Sequence, residues 1–141
     1  MARLTHWLDE RAGIKTLNQV LLLRKIPKGA GWFYTLGFAT LFVFILQAIT
    51  GSILAMFYVP SPDHAYESVR FIQYTLPFGS ILRGLHHWGA SAMVVLAGLH
   101  LVTVFVLGAY KRPREMTWVA GVFLLLVVIG MGFTGYLLPW D

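Results

Sequence analysis

"RGLHHWGASAMVVLAGLHLV", residues 83–102, places three of the chain's five histidines in a run otherwise suited to lipid. After Arg83 no Lys, Arg, Asp or Glu occurs until Lys111, so the stretch reads as a helix in apolar surroundings. There an imidazole nitrogen without a partner is costly. His86 and His100 stand 14 positions apart. At 100° and 1.5 Å per residue, that interval leaves them about 40° apart around a helix and about 21 Å apart along it. They share a face at two depths, with Gly89, Ala90, Met93 and Ala97 around the stripe between them. His87 is turned about 100° from His86 and has no place on that face.

The surrounding sequence says what kind of chain carries this stripe. Of its 141 residues 57% are hydrophobic and 12% charged, a balance unlike that of a water-soluble domain. Three windows without Lys, Arg, Asp or Glu, residues 33–58, 84–110 and 116–140, each exceed the about 20 residues needed to cross a bilayer. The fold class is therefore all-α, an integral membrane protein with three transmembrane helices in one domain over residues 1–141. Residues 1–31 read either as an interfacial amphipathic helix or as a basic tail flanking the membrane, since Trp7, Leu8, Ile14 and Leu17 alternate with Arg11, Lys15, Arg24 and Lys25. No secretory signal is expected, because Asp9 and Glu10 lie near the start and the first long apolar run begins only at Phe33.

A net charge of +5 raises the question of nucleic acid, and its distribution argues against it. Six of the eleven basic residues precede the first span, and Lys111, Arg112 and Arg114 join the second to the third. By the positive-inside rule both segments, and the N-terminus, are cytoplasmic. The other loop sets Arg70 and Arg83 against Asp63 and Glu67 and faces outward. The membrane is expected to be the inner, plasma membrane of a bacterium rather than a thylakoid. Pro60, Pro62 and Asp63 end the first span, a short helix is expected over 64–74, and Ser80 is the expected N-cap of the second span. With no cysteine in the chain, disulfides, iron–sulfur ligation and thioether-linked haem are excluded within it.

The neighbouring spans repeat the histidine interval with glycine: Gly37 and Gly51 on the first, Gly121 and Gly135 on the third. Glycine costs about 1 kcal/mol against alanine inside a helix, so its paired use needs a cause. Two flat cofactors stacked across the membrane supply one, with neutral imidazole as haem ligand. A single membrane histidine can instead line a channel or bridge helices, and glycines also serve as close-packing points. Arg83, one turn before His86, is placed either to meet a haem propionate or to anchor the interface. Gln47 and Thr50 either line a pocket or bridge helices.

"LHHWGAS" (85–91), "LGFATLFVFILQAITG" (36–51), "YKRPREMTW" (110–118) and "GYLLPWD" (135–141) together resemble the N-terminal part of cytochrome b from quinol-oxidising bc-type complexes, especially the short, split form of bf-type complexes. The resemblance implies most of a four-helix bundle holding two b-type haems. His86 would ligate the low-potential haem at the outer level and His100 the high-potential haem at the cytoplasmic level. Gly37, Gly51, Gly121 and Gly135 match positions where the family's haems pack on backbone, while Phe133, Tyr136 and Pro139 fall beside the quinol oxidation pocket. Implied partners are a fourth-helix segment with the C-terminal cytochrome b part or subunit, an iron–sulfur protein, a cytochrome c-type subunit and membrane lipid, in a dimeric complex coupled to proton translocation.

The sequence departs from that pattern in three places. The fourth helix, with its two partner histidines, does not follow the third span before Asp141. Thr35 stands where short-form relatives often carry a cysteine for an additional, attached haem, so no covalently bound haem is expected. Thr103 replaces an arginine that many members direct at the inner propionate, a role open to Lys111 or Arg112. The competing readings are a di-haem anchor of a dehydrogenase or hydrogenase, and a non-haem transporter or assembly subunit.

Overall fold

The computed structural model describes residues 31–139, and every regular element in that range is helical. A 3-10 turn over Trp32–Thr35 leads into α1 (Leu36–Ala55), followed by α2 (Ala65–Tyr74), α3 (Gly79–Val106) and α4 (Glu115–Tyr136). The first helix with its leading turn has 24 residues, α3 has 28 and α4 has 22. Each is long and apolar enough to cross a membrane, and the protein is a multi-pass membrane protein. The segment 1–31, apart from Gly31, lies outside the described residues, as do His6, the six N-terminal basic residues, Trp140 and Asp141.

α3 is the axis of the arrangement, with α1, α2 and α4 all packed against it and α1 most extensively. Large apolar side chains point away from these contacts, Phe123 being 66% and Val95 59% exposed. Such outward faces suit lipid or further helices, where exclusion of water no longer drives helices together and close packing with hydrogen bonding does. Hydroxyls on the spans bond within their own helices. Thr40, Thr50, Ser52, Thr103 and Thr134 each donate to the carbonyl four residues back, which satisfies them where no water reaches.

The helix ends differ from the charge-free windows for identifiable reasons. α3 begins at Gly79, five residues before the window at Gly84, because Arg83 lies within its second turn and donates from Nη1 to Oε1 of Gln73 on α2 at 3.1 Å. A charge with such a partner belongs inside the helix, although it closes a window drawn on composition. The N-cap is Phe78, in the left-handed region at φ 60°, and not Ser80. In the same turn a β-carbon on Gly79 would collide with the Ile72 carbonyl oxygen, so the chain passes here as bare backbone. α2 itself matches the expected segment, with His64 at its N-cap position and Ala65, Ser68 and Ile72 buried.

At the other end α3 stops at Val106, and stacked and tilted rings of Phe105, Tyr110 and Trp118, with centroids 5.4–6.1 Å apart, bracket the turn into α4. α4 ends at Tyr136, ahead of Pro139. There the Tyr58 hydroxyl donates to the Leu138 carbonyl at 2.8 Å, joining the chain beyond α1 to the chain beyond α4.

Candidate functional site

The 14-residue interval on α3 meets the same interval on α1. A β-carbon on Gly51 would stand 2.9 Å from Cε1 of His86, and one on Gly37 would stand 3.0 Å from Cε1 of His100. Both rings therefore lie edge-on against bare helix backbone, at two depths, within the interface that α1 and α3 share. Any larger residue at either glycine would push the ring aside. Both histidines are half-buried, so each ring retains an accessible portion while one edge is fixed by α1.

A third close approach sets the register between them. Nε2 of Gln47 donates to the Leu85 carbonyl at 3.4 Å, and its amide occupies the space a β-carbon on Gly89 would need. Gln47 thus bridges helices, one of the two roles its position left open. Thr50, 2% exposed, bridges as well: its Oγ1 lies 3.0 Å from Nδ1 of His86. Its place one residue before Gly51 puts it at the depth of His86, but composition and spacing alone do not say that hydroxyl and ring touch.

The remaining expected site residues are more dispersed. Gly121 has Leu101 Cδ1 at 4.0 Å as the neighbour of an added β-carbon, and Gly135 has nothing within 4 Å. The glycines of α4 are thus not brought to either imidazole. Arg83 bonds to Gln73 near the N-terminal end of α3. Phe133 and Tyr136 are exposed at 67% and 78% on the last turns of α4, with Pro139 half-buried beyond them. Sequence reading missed the Tyr58 bond to Leu138, which ties down the segment leading to Pro139. An interfacial tyrosine gives no sign of its partner 80 residues on. Thr103 turns its hydroxyl to the Leu99 carbonyl at 2.8 Å, and Arg112 pairs with Glu115 at 3.3 Å. His87 is exposed, its ring edge-on to Trp88.

Comparison with known proteins gives a consistent picture. The family profile described as Cytochrome b/b6/petB matches residues 22–141. The menaquinol:cytochrome c reductase cytochrome b subunit of Geobacillus thermodenitrificans is 44% identical over 146 residues, which cover 99% of this chain and 65% of that protein. Cytochrome b6 of Heliobacterium modesticaldum is 44% identical over 138 residues, 96% of this chain and 65% of that one. A solved chain of a "Hyperthermophilic respiratory Complex III" is similar with a TM-score of 0.84 and 35% identity, covering 96% of this chain and 35% of that one. The chain spans about 65% of the length of these two curated relatives.

Proposed function

The chain belongs to the cytochrome b/b6 family, and on that premise we propose that it carries electrons across a membrane by holding two b-type haems, each through one imidazole of α3. One observation supports this above the others: His86 and His100 both lie against glycine backbone of α1, at 2.9 and 3.0 Å from where a β-carbon would sit, at the same 14-residue interval on both helices. Packing alone calls for small residues, but not for a polar ring opposite each. The residues present suit haem in their donor chemistry and in the bare backbone around it.

When bound, haem would supply one-electron redox chemistry. His86 and His100 would each hold one through a ring nitrogen, at two depths. Gly37 and Gly51 on α1 seat the two rings against bare backbone, and Gly121 and Gly135 on α4 would leave room for a flat group. Arg83, steadied by Gln73, offers fixed positive charge to a propionate at the outward level. A further ligand for each would come from a fourth helix on the C-terminal cytochrome b part or subunit.

In this reading Phe133, Tyr136 and Pro139 border the site where a quinol is oxidised. Of its two electrons, one would go to an iron–sulfur protein and on to a cytochrome c-type subunit, and the other across the membrane by way of the sites at His86 and His100 to a quinone, in a dimeric complex coupled to proton translocation. The setting is the bacterial plasma membrane, with lipid on the outward faces and the N-terminus cytoplasmic. The test is a reduced-minus-oxidised spectrum of the purified complex. Two b-type signals are expected, and His86→Ala and His100→Ala should each remove a different one. A complex with no haem signal, or with both retained after either replacement, overturns the proposal.

A further inference from the structure

Among the span hydroxyls that bond back to their own helix, Thr50 is distinguished by also meeting a ring from another helix. Its Oγ1 is 2.7 Å from the Leu46 carbonyl oxygen and 3.0 Å from Nδ1 of His86. A carbonyl can only accept, so the shorter contact takes the hydroxyl proton and leaves Oγ1 to accept from His86. Nδ1 then carries the ring proton and Nε2 keeps its lone pair for a metal. An acceptor on the remote N–H also makes the ligating nitrogen more basic, which favours the more positive, oxidised iron.

His100 has no equivalent. The residue 14 positions before Thr50 is Leu36, next to Gly37 as Thr50 is next to Gly51, and its side chain accepts nothing. No hydrogen bond to the His100 ring occurs among the described residues. We propose that Thr50 is a positioning residue that fixes His86 in the Nδ1–H tautomer and lowers the reduction potential of the haem bound there relative to the haem at His100. Among the hydrogen bonds to the two rings, this hydroxyl is the difference between the two levels. This inference rests on the di-haem reading above.

The test is a redox titration of both haems in the complete complex, in its membrane, for the wild type and for Thr50→Val, Thr50→Ser and Leu36→Thr. Thr50→Val keeps the side-chain shape and should raise the midpoint potential of the haem that depends on His86, leaving the other unmoved. Thr50→Ser should restore the wild-type value. Leu36→Thr should lower the potential of the haem that depends on His100, and it remains informative should Thr50→Val fail to assemble. An unchanged potential in Thr50→Val, or a Thr50→Ser value that follows valine rather than wild type, overturns the inference while leaving the di-haem reading intact. If Thr50→Val does not assemble, an unmoved potential in Leu36→Thr overturns it. A wild-type complex lacking two b-type haems overturns both.

Discussion

A methyl group added at Gly51 or Gly37 has no space to occupy, because an imidazole edge stands 2.9 or 3.0 Å from its position. Overpacking of this kind costs about 1–3 kcal/mol, borne here by the ring that must move. Gly51→Ala is therefore expected to deplete the haem signal that His86→Ala removes, and Gly37→Ala the other, each visible in difference spectra of the assembled complex. Loss of both signals together would mean that the glycines support packing in general. Gly135→Ala meets no atom of this chain within 4 Å, so it should leave the helices intact and still reduce haem at the His86 level. Unchanged haem would remove Gly135 from the cradle. The candidate residues stand out in the sequence because an imidazole is costly in lipid and because the glycines repeat its interval. The Thr50–His86 bond is not, since threonine also bonds to its own helix in these spans.

At the scale of elements, the register between α1 and α3 is fixed by groups that look unremarkable in sequence. Gln47 reaches the Leu85 carbonyl across the interface, and Gly89 leaves room for its amide. The Tyr58 bond to Leu138 ties the C-terminal end of the first span to that of the third. Tyr58→Phe removes that one hydrogen bond, worth about 0.5–1.5 kcal/mol net, and should lower the temperature at which the complex loses its haem on heating. No change in that temperature would show the bond carries no stability. Helix existence was readable from apolar length, but helix ends were not. Arg83 hides the first turns of α3 from any window that excludes charge, and the bare backbone needed at Gly79 depends on the carbonyl of Ile72, seven residues before it.

For the molecule as a whole, the spans put residues 56–78 on one side of the membrane and 107–114 on the other. Lys111, Arg112 and Arg114 occupy the second of these, the side that the positive-inside rule predicts to be cytoplasmic. The chain has no cysteine, so a single introduced thiol reports its own location. Asp63→Cys should react with an impermeant maleimide added outside intact cells, and Arg114→Cys should react only after the membrane is opened. The reverse pattern would invert the topology and, with it, the level at which His86 sits. α4 leaves Phe123, Leu124 and Leu126 more than 60% exposed, which accords with further helices or lipid completing the bundle.

What the sequence determined by itself is local to each helix: three lengths sufficient to cross a bilayer, a charge asymmetry between loops, and the angle and rise that place His86 and His100 on one stripe. These follow from helix geometry and the cost of polar groups in hydrocarbon. Tertiary structure decided which glycines face those rings. Gly37 and Gly51 do, and Gly121 and Gly135, at the same interval, do not. The physical reason is that a periodic pattern fixes direction only within its own helix. The alignment of one helix against the next depends on cross-helix contacts such as Gln47 with Leu85 and Thr50 with His86, which no single helix encodes alone.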